Sequence, residues 1–297
     1  MVEFVDGESK INVHVSHPER ILFPDIGVTR RQLMDYYAAL SSVLLPHYIS
    51  RALTVKRWPH GITGPMFYQK HVKLSQGQSV IQIHSPQQLL QWVALGTIEW
   101  HVPLGLMADP NKHDWAVFDL DAHHVPWHKV AEATRIMVKL LGLLHIPCIL
   151  KTSGHKGMHI YVKIQPERHE LVVQGCQLIA NIAAKTYPQL LTLERLKAKR
   201  GARVYIDYLQ NGYHRTMAGV YTVRAVPRGT VSCPVTWDEI GQEPEVWTMK
   251  RVIERVRCEG DLFDVSDRGI HFLRHLRSEG LSLDTFPPHH AFGGAGK

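Results

Sequence analysis

Cysteine is scarce in this chain: four in 297 residues, at positions 148, 176, 233 and 258, with no C-x-x-C pair among them. That excludes a disulfide-stapled scaffold and a zinc ribbon, and it points to reduced thiols in a cytoplasmic protein without structural zinc. Long apolar runs are missing too. The richest, around Ile136 to Leu144, is interrupted by Lys139 and Gly142 and is too short to span a bilayer. No signal peptide is read at the N-terminus. The G-x-x-x-x-G-K-[ST] loop of Walker-type nucleotide folds is also absent.

What is present is a hydrophobic content of 44%, enough for one large or two coupled domains, and an excess of base over acid. Lys and Arg number 34 against 27 Asp and Glu, giving a net charge of +7, with 20 histidines besides. A basic chain of this kind favours a polyanionic partner, although many soluble enzymes share the balance. Pairs of histidines four apart, such as His124 and His128 or His271 and His275, arise by chance at this abundance. Only His155 and His159 sit in a chemically loaded segment.

Three segments carry the chemistry. In Trp115 to Asp121, WAVFDLD, side chains of an extended strand alternate, so Asp119 and Asp121 share one face while Phe118 and Leu120 point into a core. Two carboxylates that close repel unless a cation lies between them, and hard oxygen ligands suit a divalent metal. A D-x-D pair by itself is more often a solvated sheet edge. The second segment, Leu150 to His159, LKTSGHKGMH, combines Ser153, Gly154 and Gly157, which permit a tight turn with exposed N–H groups, with Lys156 and His159. Such a loop suits phosphate; alone it reads equally as a glycine-containing hairpin turn. In the third, Arg203 to Tyr208, RVYIDY, alternation puts Asp207 on the polar face of another short strand.

The chain around these segments reads strand (115 to 121), helix (127 to 144), strand (148 to 153), strand (158 to 164), helix (168 to 187), strand (203 to 208). That is a βαββαβ, RRM-like α/β (α+β) sheet. The first strand is expected centrally between the third and fourth, with Asp119 and Asp121 beside Asp207 on one side and His159 on the other.

Residues 1 to 110 read as a smaller α/β module, and 111 to 297 as a catalytic core with a C-terminal helical segment. In the module, Thr29 caps a helix running through Gln32 toward Leu45, with Pro46 just past its end. Arg20, Arg30, Arg31, Lys56, Arg57, Lys70 and Lys73 make it basic, with Trp58, Phe67 and Tyr68 interleaved. Cations for phosphates and rings for bases suit nucleic acid, while Trp58 and Phe67 are equally readable as core. Near the C-terminus, Thr236 and Glu239 have capping-box spacing and a helix is expected over 245 to 258. The tail from Phe286 to Lys297 reads as flexible.

Six segments in order, SHPERILFPDIGVTRRQLMDYY, LTVKRWPHGITGPMFYQKH, VFDLDA, LKTSGHKGMHIYV, VYIDYLQN and YTVRAVPRGTVSCPVTWDEI, resemble the polymerase domain of bacterial ATP-dependent DNA ligase D and its stand-alone relatives in the archaeo-eukaryotic primase superfamily. The resemblance implies a primase-polymerase fold and a template-directed nucleotidyltransferase. It implies that Asp119, Asp121 and Asp207 bind two ions, Mn2+ or Mg2+, and that NTP substrates, ribonucleotides preferred, meet His101, Ser153, Lys156, His159, Arg200, Gln210 and Arg224. It further implies that Arg20 and Arg30, where lysine is common, grip a DNA 5′-phosphate, and that Lys56, Arg57, Phe67 and Tyr68 contact template and downstream DNA. The implied setting is end joining at gaps, breaks and 3′ overhangs, with Ku and with an ATP-dependent ligase and nuclease as partners or fused domains, in the nucleoid-associated cytoplasm.

Three rivals remain at this point. A haloacid-dehalogenase-type phosphatase also carries a strand ending in D-x-D, but there the strand usually opens the domain. An RNA-recognition module shares the βαββαβ order yet presents aromatics where this chain presents carboxylates. A primase that starts chains de novo is the nearest rival.

Overall fold

The computed structural model describes residues 2–6, 9–74, 77–263 and 268–282. Its centre is the strand Asp109–Asp121, longer than the sequence pattern indicates because both faces are buried from His113 to Phe118. Alternation shows only at its end, where Phe118 and Leu120 are fully buried and Asp119 and Asp121 are not.

Neighbours in the main sheet run Leu191–Thr192, Val204–Asp207, Asp109–Asp121, Met158–Arg168, Ile149–Thr152 and Pro234–Val235. The long strand therefore lies centrally, as the βαββαβ reading requires. Its register puts Asp119 opposite His159 on one side and Asp207 on the other. The crossover helices, Trp127–Leu143 and His169–Thr186, bury Val130, Met137, Val172 and Ile179, leaving the carboxylate face free of helices. Mixed helix and sheet of this kind belongs to the α/β class.

A second sheet has the order Thr216–Ala218, Thr97–Pro103, Thr54–Arg57, Phe67–Gln69. Its first strand comes from the C-terminal half of the chain, and Ala218 pairs with His101. Tyr36, Tyr37 and Tyr48, all buried, join the N-terminal helices to this layer by donating to the carbonyls of Tyr221, Ile98 and Val220.

Local signals were partly overridden. Thr29 and Gln32 form the expected capping box, but the helix Arg30–Ala39 ends at Leu40 and a second helix, Ser41–Tyr48, follows with Pro46 inside it. The Ser41 hydroxyl donates to the Ala38 carbonyl and caps the first helix, while buried Leu44, Leu45 and Tyr48 hold the second through its proline. Thr236 and Glu239 close a box on the 3-10 turn Trp237–Glu239. The expected helix at 245 begins only at Met249, capped by Thr248, and runs to Glu259. The tail beyond Ser282 lies outside the described residues.

Candidate active site

Strand register brings Asp119 and Asp207 together, and burial first, then the charges of Asp207 and Asp121, push the Asp119 carboxyl up to about 8. Asp207 is also raised by burial, against hydrogen bonds from the Leu209 N–H, the Tyr205 hydroxyl and the Gln210 amide at 3.1, 3.3 and 3.2 Å. Asp121 accepts from Arg200 Nη1 at 2.9 Å. The Arg200 guanidinium lies 3.9 Å over the Tyr205 ring and donates to the carbonyls of Glu194 and Arg195.

Among the described residues no three His, Cys, Asp or Glu side chains already form a set that could hold a metal ion. Oxygens of Asp121 and Asp207 are occupied by Arg200 and Gln210, so the site is poised rather than closed. The carboxylates nevertheless fit a divalent cation, because burial and then the charges of Asp207 and Asp121 hold Asp119 protonated against the opposing pull of Lys151 and Arg224, and a bound cation would relieve both. A hard ion taking one or two carboxylates and the rest of its shell from phosphate and water suits them.

The loop after Thr152 departs from expectation in detail. Ser153 Oγ accepts from the N–H groups of His155 and Gly157 at 3.1 and 3.0 Å, so those two donors close the turn rather than face a ligand. Gly154, at φ +68°, touches the Arg224 side chain and Ser232 backbone closely enough that a Cβ would meet them at 2.6 and 2.8 Å. A Cβ on Gly157 would meet the Leu120 carbonyl at 2.5 Å. Both glycines are thus set by close packing, Gly154 against the segment carrying Arg224 and Ser232 and Gly157 against the long strand. Arg224 Nη1 donates to the Ser153 carbonyl at 2.6 Å, tying the loop to the opposite wall.

Between the two sheets lies a cavity of about 400 Å3. His101, Asp119, Asp121, Ser153, Lys156 and His159 line it, together with Gln210 and Arg224. Arg200 and Asp207 stand just behind, touching Asp121 and Gln210.

Several residues that the sequence did not single out also belong here. Lys197 and His123 add cationic or hydrogen-bonding groups to the cavity wall, as do His155, already noted beside His159, and His124, whose spacing to His128 read as chance. Lys151 is wholly buried and bonds His159 Nδ1 at 2.9 Å, while His159 Nε2 stands 3.5 Å from Asp119. Burial draws Lys151 well down. Glu99, also buried, meets His101 at 2.9 Å and Lys56 and Arg224 at 3.2 Å each. Burial works against the Glu99 carboxylate, but the bond from His101 and the charges of Arg224 and Lys56 prevail and hold it well below the usual range.

The DNA-facing expectations divide. Phe67 and Tyr68 are 52% and 54% exposed, an aromatic pair presented to solvent, whereas Trp58 is core. Lys56 turns inward to Glu99, and Arg57 is engaged by the Leu95 carbonyl and the Gln69 amide oxygen. Arg20 and Arg30 do converge, both donating to the Pro59 carbonyl. Arg30 is buried, is drawn down by burial and by Arg20, and has a second carbonyl partner in Ser16. Among the described residues its Nε has no hydrogen-bond partner. Arg20, half-buried beside His60, is the more accessible of the two.

The family model of the LigD primase-polymerase domain matches residues 29–263. A multifunctional non-homologous end joining protein LigD of Mycolicibacterium smegmatis is 30% identical over 273 residues, covering 84% of this chain and 35% of that protein. The protein of the same description from Pseudomonas aeruginosa is 30% identical over 263 residues, covering 82% of this chain and 31% of that protein. The chain therefore spans about a third of the length of these relatives. Among solved structures, the polymerase domain from Mycobacterium tuberculosis ligase D in complex with DNA superposes with a TM-score of 0.76 at 28% identity, over 84% of this chain and 96% of that one.

Proposed function

The chain belongs to the LigD primase-polymerase domain family, and from that membership we propose that it is a template-directed nucleotidyltransferase acting in end joining. It adds nucleoside triphosphates, ribonucleotides in preference, to a primer 3′-hydroxyl at gaps and breaks. The observation that carries this reading is the pair Asp119 and Asp121 on one edge of a cavity that also holds Lys156, Lys197 and Arg224, with Asp207 paired to Asp119 just behind.

Asp119, Asp121 and Asp207 would hold two divalent ions, Mn2+ or Mg2+. Such ions lower the pKa of the primer hydroxyl and neutralise the triphosphate and leaving pyrophosphate. Lys156 and Arg224, both lining the cavity, would position the triphosphate, and the Arg224 fork is already aimed by the Ser153 carbonyl and Glu99. Arg200 stands where it can exchange Asp121 for a phosphate oxygen. Gln210 holds Asp207 in orientation.

DNA would be read outside this cavity, with Phe67 and Tyr68 stacking on bases and Arg20 and Arg30 forming a pocket for a downstream 5′-phosphate. Ku, and a ligase and nuclease fused or separate, are the partners this activity calls for. The test is extension of a gapped duplex with and without a 5′-phosphate, comparing rNTPs with dNTPs under manganese and magnesium. Metal-dependent extension that favours rNTPs and the phosphorylated gap supports the reading; no templated extension under either metal overturns it.

A further inference from the structure

Glu99 stands on the strand Thr97–Pro103, two residues before His101 and on the same face, 4% exposed, and two groups of the cavity wall, His101 and Arg224, are tied to it together with Lys56. Its Oε1 accepts from the Ala225 N–H at 3.0 Å and faces Arg224 Nε at 3.2 Å. Its Oε2 faces Lys56 Nζ at 3.2 Å and His101 Nε2 at 2.9 Å. A carboxylate surrounded by two cations and an N–H has only acceptors to offer.

The His101 ring is drawn down by burial, against the pull of Glu99, so at neutral pH it carries one proton. That proton must lie on Nε2, where it faces an acceptor. Nδ1 then carries the ring's lone pair, on a ring that lines the nucleotide cavity and whose strand pairs with Ala218.

Resting on the nucleotidyltransferase reading, we infer that Glu99 is a positioning residue that fixes His101 as the Nε2–H tautomer, so that Nδ1 accepts a hydrogen bond from a hydroxyl of the incoming nucleotide's sugar. Sugar selection in this protein then originates one residue behind the cavity wall. A site that offers a buried acceptor to a hydroxyl rejects the substrate lacking it, because the acceptor is left unpaired.

Glu99→Gln tests this with almost no change of shape. In the rotamer whose amide oxygen keeps the Ala225 N–H, the amide nitrogen faces His101 and displaces the partly exposed Lys56 ammonium toward solvent, and the proton moves from Nε2 to Nδ1, turning the acceptor into a donor. Nitrogen NMR of the His101 ring in the free protein is expected to show Nε2–H in the parent and Nδ1–H in the variant. In primer extension, KM for the ribonucleotide is expected to rise about tenfold more than KM for the deoxy analogue that lacks the recognised hydroxyl, a ratio worth about 1.4 kcal/mol. Comparing 2′-deoxy and 3′-deoxy triphosphates identifies which hydroxyl is read.

Loosening of Arg224 weakens all nucleotides alike and leaves the ratio alone. Lys56→Met, which keeps the Glu99–His101 bond, should likewise leave it alone. An Nδ1–H ring in the parent, or an unchanged ratio in Glu99→Gln, overturns the inference. Failure of the parent to extend primers at all overturns the polymerase reading instead, and the ring spectrum of the free protein still decides the role of Glu99.

Discussion

Asp119→Asn is expected to stabilise the metal-free protein at alkaline pH while destroying its response to metal. The Asp119 carboxyl is raised from its ordinary 3.8 to about 8 by burial and by Asp207 and Asp121, so the folded chain holds this proton more tightly than the unfolded chain. The stabilisation that follows is complete below the unfolded value and is lost as pH rises through 8. A span of about 4 pH units at roughly 1.4 kcal/mol each sets an upper limit on the order of 5 kcal/mol. Water reaching a side chain 20% exposed reduces it to about 1 to 3 kcal/mol. Asparagine keeps the shape and cannot ionise.

Thermal melts in chelator should therefore give similar midpoints for parent and variant near about pH 4, and a variant midpoint higher by roughly 2 to 4 °C per kcal/mol near about pH 9. Millimolar magnesium or manganese should raise the parent midpoint at the higher pH and leave the variant nearly unmoved, since a ligand that binds only the folded state stabilises by mass action. A parent melting curve indifferent to both pH and metal, or a variant weaker at both pH values, refutes the reasoning that these carboxylates are held in mutual repulsion awaiting a cation.

Arg20→Ala should lower affinity for a gapped duplex bearing a 5′-phosphate by about 1 to 3 kcal/mol and hardly change binding to the same duplex without it, checked by fluorescence anisotropy. Arg30→Ala should show the same selectivity and also lower the melting midpoint, because its guanidinium is buried against the Ser16 and Pro59 carbonyls. Phe67→Ala and Tyr68→Ala should leave the melting midpoint unchanged yet cost roughly 1 to 3 kcal/mol in DNA binding, as expected for exposed stacking rings. Trp58→Ala, by contrast, should cost about 3 to 5 kcal/mol of stability as a core truncation.

The carboxylate row was legible in the sequence because strands repeat every two residues and the βαββαβ order admits few arrangements. Alternation put Asp119 and Asp121 on one face and Asp207 on the polar face of its strand, topology supplied their neighbours, and only the family resemblance implied their role. Glu99 and Lys151 were not legible, for the same physical reason. A buried charged residue looks in sequence like a surface one, and its meaning lies in distant partners: Lys151 bonds Ser232 and Ala218, and Glu99 bonds Ala225 and Arg224. The E-x-H spacing of Glu99 and His101 was the one available clue. The burial of Arg30 was not legible either, because it depends on the carbonyls of Ser16 and Pro59. The 153–157 loop was rightly placed as a tight turn, but counting exposed N–H groups overlooked that Ser153 Oγ takes two of them.

The central claim is tested most directly by primer extension on a 5′-phosphorylated gap with Asp119→Ala, Asp121→Ala and Asp207→Ala, each first shown by melting and anisotropy to fold and bind DNA. Loss of extension in all three, under magnesium and manganese alike, is the predicted result. Near-normal extension by any one of them contradicts the assignment of that carboxylate, and near-normal extension by all three contradicts the account.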